Sequence, residues 1–330
     1  MYAIRQHEFG APETLRYEWV DDPVPGEGQV RVVVEAAGVH LLDTMMRTGV
    51  PAGPMPVPEL PMTPGREVAG KVDMVGDGVD GWLGKRVVVH LGFVNAGYAE
   101  LVLAPATSLH ELPDGLDAAE AVAMIGTGRT AVGVLESAMI TADDVVLVLA
   151  AAGGLGTLFV QAAGQRGATV VGVAAGVEKI EQVRTNGADI AIDYAKDGWD
   201  DEVRSALGDQ EVTVVLDGVG GELGRTAFEL LGGGGRFVMF GYSSGELTQI
   251  TSADLAGKGL TATWALGPAI LSRPGGIRAL ETHALAEAAA RRLVPAVSRF
   301  PLDQAAEAHR ALEERRTVGK VVLIPTRSEQ

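Results

Sequence analysis

From about Ala118 the chain alternates short aliphatic runs with amphipathic ones, and this alternation restricts the fold more than any other feature. Strands are expected at Val145 to Leu149, Thr169 to Val173, Ile190 to Asp193, Val212 to Asp217, Arg236 to Phe240 and Thr261 to Ala265. Helical segments between them include Gly156 to Gln165, Glu178 to Thr185 and Gly221 to Leu231. Strands alternating with helices connect by right-handed crossovers, which predicts an α/β fold with a Rossmann-type doubly wound parallel sheet. The first run leads into Ala150-Ala151-Ala152-Gly153-Gly154-Leu155-Gly156, where Ala151 stands in for the usual first glycine of a G-x-G-x-x-G turn. At such a turn the backbone can approach a pyrophosphate closely, and the free N–H groups and dipole of the next helix stabilise its charge. Tight strand–helix packing also produces glycine turns, so the neighbouring residues decide between the two.

An NAD site usually places an Asp or Glu about 20 residues past the glycines to receive the ribose 2′-hydroxyl. Here Thr169-Val-Val-Gly-Val-Ala174-Ala175-Gly176 ends in small residues, leaving space for a 2′-phosphate. Lys179 can pair with that phosphate, and Tyr194 can stack or hydrogen-bond beside it. The plainer readings are a surface lysine and a packing tyrosine, and a shifted strand end would bring Glu178 to the ribose instead. NADPH is the expected cofactor, held through Ala152, Gly153, Gly154, Leu155 and Gly156 at the turn and Ala175, Gly176, Lys179 and Tyr194 beyond it.

The first third reads as a small, irregular β domain, with runs at Val30 to Glu35, Glu67 to Val75 and Arg86 to Val89 separated by turn clusters. Pro51 to Pro64 reads as a surface loop able to border a cleft. Ala119 to Ser137 is helical in pattern. The tail offers helices at Gly276 to Arg292 and Leu302 to Glu314 and a last strand at Lys320 to Ile324. A formal charge of -16 without a basic stripe argues against nucleic acid and anionic membranes as partners. The absence of cysteine removes disulfides, thiolate nucleophiles and thiolate zinc sites together. The first residues carry no apolar leader segment, and a cytoplasmic location is the default expectation.

Ordered motifs then run through almost the whole chain. They include Pro25-Gly-Glu-Gly-Gln-Val30, Ala37-Gly-Val-His-Leu-Leu-Asp43-Thr-Met-Met-Arg47-Thr-Gly49, Pro64-Gly-Arg-Glu67-Val-Ala-Gly70 and Val75-Gly-Asp-Gly-Val79. Gly97-Tyr-Ala-Glu100, the glycine turn with Gln161, Asp217-Gly-Val-Gly-Gly221, Phe240-Gly-Tyr-Ser-Ser-Gly245 and Gly319-Lys-Val-Val follow. The set resembles the medium-chain dehydrogenase/reductase superfamily, and within it the zinc-free NADPH:quinone oxidoreductases.

The resemblance implies a β-rich, GroES-like catalytic domain from residues 1–120 and 266–330, with a Rossmann domain at 121–265 between them in sequence. It also implies an active cleft between the domains, frequent homodimers, and hydride transfer from NADPH to a quinone or an α,β-unsaturated carbonyl. By motif match His40 and Asp43 lie beneath the nicotinamide, Thr127 lies near its ribose or phosphate, and Val219, Gly220, Phe240, Gly241 and Ser243 border it. His40 either donates a hydrogen bond or proton or is a structural histidine; Asp43 either takes part in the chemistry or fixes a helix start. Tyr242 replaces a common Asn and either donates a proton or lines the pocket, and Met45 stands where a family member has Tyr. Arg66 either meets an acidic substrate or forms a structural salt bridge. His40, Glu67 and Asp43 are chemically able to bind zinc, but no metal is expected, because His40 falls where quinone reductases carry Asn. The competing functions are an enoyl-thioester reductase, which needs a basic entry the sequence lacks, and a catalytically weak NADPH-binding redox sensor or structural protein.

Overall fold

The protein is described by a computed structural model covering residues 1–51 and 57–326. Positions 52–56 of the expected loop from Pro51 to Pro64 lie outside the described residues. In chain order the first elements are β1 (Tyr2–Gln6), β2 (Leu15–Trp19), β3 (Gln29–Val39), α1 (Leu41–Arg47), β4 (Glu67–Val75), β5 (Arg86–His90), β6 (Leu101–Pro105), β7 (His110–Glu111) and α2 (Ala118–Ala123). The middle of the chain forms α3 (Arg129–Ala138), β8 (Val145–Val148), α4 (Gly154–Gln165), β9 (Thr169–Ala174), α5 (Val177–Thr185), β10 (Ile190–Asp193) and α6 (Trp199–Leu207). It continues with β11 (Val212–Asp217), α7 (Gly221–Glu229), β12 (Leu231–Met239), α8 (Ser252–Lys258), β13 (Thr261–Trp264), α9 (Pro268–Leu271) and α10 (Gly276–Ala289). The tail forms β14 (Val297–Pro301), α11 (Ala305–Glu313) and β15 (Lys320–Ile324).

These elements fall into two compact units, Met1–Gly126 with Pro295–Gln330, and Thr127–Val294. In the first, the main sheet has the order β14-β15-β3-β4-β5-β7, with β6 also paired to β3, while β1 and β2 form a separate pair. Only β14 and β15 pair in parallel within the main sheet. Val30, Val32 and Val34 alternate inward along β3 and meet Val68, Val72, Val87, Val89, Val321 and Leu323 in one buried cluster. Period-two alternation lets one face of an antiparallel sheet build such a core while the other remains polar.

The second unit is the expected doubly wound sheet of six parallel strands, in the order β10-β9-β8-β11-β12-β13. All four residues of β8 are buried, as a central strand covered on both faces requires. The strand order reverses between β8 and β11, the switch point beside which such sheets bind ligands. Residues 266–294, expected with the catalytic portion, group here with the parallel sheet. The cause is a small-residue face on α3: Ile270 and Leu280 come within 3.5 Å of where a Cβ on Gly133 would stand. Arg129 also pairs with Glu281 at 2.5 Å. Among the described residues no helix is long and apolar enough to cross a membrane.

Candidate functional site

Most of the residues expected to hold a dinucleotide follow the C-terminal ends of the parallel strands. Ala152, Gly153, Gly154, Leu155 and Gly156 join β8 to α4; Ala175, Gly176 and Lys179 follow β9; and Tyr194 follows β10. Val219 and Gly220 follow β11, while Phe240, Gly241, Tyr242 and Ser243 follow β12. Thr127, half-buried, lies just before α3 in the same unit.

Gly153 caps α4 in an extended conformation, and its N–H donates to the Ala150 carbonyl at 2.9 Å. The N–H groups of Gly154, Leu155 and Gly156 form the first turn, where no intrahelical acceptor exists. A Cβ on Gly156 would stand 2.3 Å from the Ala150 oxygen and 2.6 Å from the Ala151 Cα, so only glycine lets the helix start this close to the strand. Ala151, in place of the usual glycine, is accommodated by Gly172 of β9, whose own Cβ would come within 3.2 Å of the alanine methyl. Small residues and unsatisfied helix-start donors suit a pyrophosphate, so the turn passes the test of fit for a dinucleotide.

At the end of β9, Gly176 adopts φ 90 with open space where a Cβ would be. Its N–H donates to Asp193 Oδ1 at 3.2 Å, which also accepts from the Ala195 N–H at 3.0 Å. The Asp193 side chain thus ties together the turns after β9 and β10. Lys179 is half-buried in the first turn of α5, Glu178 beside it is exposed, and Tyr194 packs partly against the core.

Asp217 fixes the ends of β11 and β12. Fully buried, it accepts from the N–H groups of Val219 (2.8 Å) and Gly220 (2.9 Å) and from the Thr248 hydroxyl (2.6 Å). Gly218 has no space for a Cβ, which would stand 2.4 Å from the Phe240 ring, and the Ser243 N–H donates to its carbonyl at 3.1 Å. Asp217, Gly218 and Thr248 therefore shape the segments expected to border the nicotinamide, although none was a candidate by itself. Tyr242 is 38% exposed, its ring 6.5 Å from that of Trp264.

His40 and Asp43 belong to the first unit, where they join a buried charge cluster. Antiparallel pairing of β4 with β5 places Glu67 beside His90, and β15 pairs with β3 on the other side. Glu67, with no exposed surface, lies 2.6 Å from His40 Nε2 and 2.9 Å from Lys320 Nζ, while His90 Nε2 is 4.0 Å away. Lys320 Nζ also contacts His40 Nε2 at 2.8 Å. Gly38 and Gly126 make room for the carboxylate, since a Cβ on either would come within 2.4 Å of its oxygens. Burial opposes ionisation of Glu67, yet the charges of His40 and Lys320 hold its carboxyl well below the usual range. Burial lowers the Lys320 ammonium, and Glu67 partly offsets that shift.

Asp43 does fix a helix start: its Oδ2 accepts from the His40 backbone N–H at 2.8 Å. The same oxygen accepts from the Tyr98 hydroxyl at 3.0 Å, and that hydroxyl lies 3.2 Å from His309 Nε2. Arg66 is buried and faces Asp43 Oδ1 at 3.9 Å, in agreement with the salt-bridge reading. Met45 packs with Met46 in a small apolar group. Among the described residues no three His, Cys, Asp or Glu side chains are arranged to hold a metal ion, and the cation that meets Glu67 is Lys320. Lys320, Tyr98 and His309 were not singled out from sequence. The first two sat inside quoted motifs, but no local spacing tied them to His40 and Asp43.

A glycine cradle at the switch point of a doubly wound sheet, in a chain that also carries a GroES-like sheet unit, defines a dinucleotide-dependent oxidoreductase. Residues 26–114 match the alcohol dehydrogenase GroES-like domain, and residues 186–323 match a family described as zinc-binding dehydrogenase. The chain is 32% identical to the 2-haloacrylate reductase of a Burkholderia species across 97% of each chain. It is 33% identical to the quinone oxidoreductase of Pseudomonas aeruginosa, covering 96% of this chain and 97% of that one. The solved structure of Escherichia coli quinone oxidoreductase complexed with NADPH is similar with a TM-score of 0.86 and 29% identity, covering 98% of this chain and all of that one. The chain belongs to the medium-chain dehydrogenase/reductase superfamily, among the relatives of quinone oxidoreductases.

Proposed function

We propose that the protein is an NADPH-dependent reductase that delivers hydride to a quinone or an α,β-unsaturated carbonyl. The observation that carries this reading is full-length similarity to a quinone oxidoreductase and a 2-haloacrylate reductase, whose names describe electrophilic acceptors of this kind. Reduced nicotinamide supplies the hydride when the cofactor is bound. The N–H groups of Gly154, Leu155 and Gly156 would meet the pyrophosphate, Lys179 and Tyr194 the 2′-phosphate, and Thr127 the nicotinamide ribose or phosphate. Val219, Gly220, Phe240, Gly241 and Ser243 orient the ring through backbone held by Asp217. On the acceptor, His40 supplies a hydrogen bond or proton to the developing oxyanion, while Asp43 positions His40 by capping α1. Tyr242 lines the pocket or acts as a second donor. The reading includes a cytoplasmic setting and a homodimer, with the edge strand β13 as the surface able to extend the sheet, since Thr261, Thr263 and Trp264 are exposed. Sedimentation velocity at micromolar concentration is expected to show a dimer; a monomer at every concentration rejects that part.

The activity is tested by stopped-flow oxidation of bound NADPH with benzoquinone, naphthoquinone, a linear enone, 2-chloroacrylate and crotonyl-CoA. Oxidation by a quinone or a simple conjugated acceptor is expected. Tight NADPH binding without oxidation by any of them would favour the redox-sensor reading, and oxidation by crotonyl-CoA alone the thioester reading. Fluorescence titration is expected to show NADPH binding more tightly than NADH, with Lys179→Ala weakening NADPH selectively by roughly 1.5 to 3 kcal/mol. Equal affinity for the two cofactors in the unmodified protein would remove the 2′-phosphate assignment.

A further inference from the structure

We infer that Asp193 is a specificity-determining residue of the cofactor site: its carboxylate favours a ribose 2′-hydroxyl and opposes a 2′-phosphate, which narrows the preference for NADPH over NADH. No acid lies at the end of β9 itself, where Thr169 to Gly176 closes in small residues. Sheet register supplies one from the next strand. β10 runs parallel to β9 with Asp193 opposite Ala174, so the last residues of the two strands stand one strand spacing apart, about 4.8 Å. From there the side chain reaches into the turn beyond β9: Oδ1 accepts from the Gly176 N–H at 3.2 Å and from the Ala195 N–H at 3.0 Å.

In a dinucleotide fold, an acid at the end of the second strand receives the ribose hydroxyl. Asp193 brings the same chemistry to that place from a different strand. Its Oδ1 is committed to two backbone N–H groups, while Oδ2 accepts no hydrogen bond among the described residues and is not buried, so it can receive a hydroxyl. The turn it faces is open. Gly176 sits at φ 90 with no atom within 4 Å of where its Cβ would be, Ala174 and Ala175 carry only methyl groups, and Val177 is 83% exposed. A 2′-phosphate has the same sign of charge as the carboxylate, so Asp193 works against it while Lys179 works for it. Glu178, exposed in the first turn of α5, is screened by solvent and adds less.

This role requires the turn after β9 to be the 2′ end of the cofactor site, and so rests on the reading of Lys179 and Tyr194 given for NADPH. Asp193 also holds that turn together, because one oxygen joins the segment carrying Gly176 to the segment carrying Tyr194. An isosteric amide separates charge from scaffolding. In Asp193→Asn, Oδ1 keeps the two lone pairs that the Gly176 and Ala195 N–H groups use, while Nδ2 replaces Oδ2 with an uncharged donor. In Asp193→Ala both the charge and the two backbone contacts are lost.

The test is calorimetric titration of the full-length protein with NADPH, NADH, adenosine 2′,5′-bisphosphate and 5′-AMP, for the parent and for Asp193→Asn, Asp193→Ala and Lys179→Ala. Asp193→Asn is expected to tighten NADPH and the bisphosphate by about five- to twentyfold, the effect of removing one like charge beside a phosphate at a solvent-open site, and not to tighten NADH or 5′-AMP. That gain is expected to shrink as ionic strength rises. Asp193→Ala is expected to bind all of these ligands less tightly than Asp193→Asn, since its turn is no longer tied. An NADPH-to-NADH ratio unmoved by Asp193→Asn would overturn the proposal, and so would an equal change in every ligand, which marks a purely structural role. A ratio shifted by Asp193→Asn supports it even where Lys179→Ala leaves NADPH unmoved, an outcome that removes the Lys179 contact alone. Only binding is read, so the result does not depend on which acceptor the enzyme reduces.

Discussion

In denaturant unfolding of the unit that carries it, Glu67→Leu is expected to cost about 3 to 5 kcal/mol, the range for removing one partner from a buried ion pair. The reason is what it leaves behind. Lys320 is only 5% exposed, and without Glu67 its ammonium faces the His40 ring and the Asp43–Arg66 pair with no carboxylate of its own. Burial already lowers the Lys320 pKa, so part of the loss is relieved by its deprotonation. Adding Lys320→Met removes the stranded charge, and the double variant is expected to recover most of the lost stability, since well-packed apolar pairs often replace buried ion pairs at little cost. A single variant within about 1 kcal/mol of the parent, or a double variant no better than the single, would show that the pair does not hold this sheet together.

The second large effect concerns acid. His309 is fully buried against Tyr98, its Nδ1 has no hydrogen-bond partner among the described residues, and burial pushes its pKa down to about 4 from an ordinary 6.5. The folded value lies below the unfolded one, so as pH falls the unfolded chain takes up the proton first. Stability from this group is therefore whole above about pH 6.5 and drains away as the pH falls toward 4. The difference corresponds to roughly 3 kcal/mol. His309→Gln can still donate to the Tyr98 hydroxyl but does not titrate. It is expected to be less stable than the parent at pH 7 yet to lose about 3 kcal/mol less between pH 7 and pH 4. Parallel unfolding curves at four or five pH values measure this, and identical slopes for the two proteins would refute it.

The parallel sheet was legible because its signals are local. Aliphatic runs bounded by glycine turns mark strands, the 3.6-residue period marks helices, and the order of the two dictates the crossovers. All six expected strands form, with ends that move by a few residues: β12 starts at Leu231, ahead of the expected Arg236, because Leu231 pairs with Val212 before an irregularity that passes over Gly232 to Gly235, which offer no side-chain signal. The helix α8 was not anticipated, and α1 entered only as one of two readings of Asp43. Each is short and is set chiefly by a capping acid, Asp43 or Asp254, that bonds the backbone N–H three residues earlier.

The charge cluster was less legible, for a different reason. His40 and Lys320 are 280 residues apart, and Tyr98 and His309 are 211 apart. No local period links such pairs; the antiparallel register among β15, β3, β4 and β5 gathers the groups around Glu67, while α11 carries His309 to Tyr98. Gly38 and Gly126 look like ordinary small residues until the Glu67 oxygens are seen against both. The placement of α9 and α10 likewise depended on the face of α3 that received them.

By itself the sequence determined the doubly wound sheet, the glycine cradle and the small-residue end of β9, because backbone geometry and hydrophobic period are written into neighbouring residues. Tertiary structure alone decided that a lysine near the end of the chain is the cation beside Glu67, and that Asp43 ties His40 to a chain running through Tyr98 to His309. Buried charges choose partners by burial and strand register, and register is a property of the folded sheet.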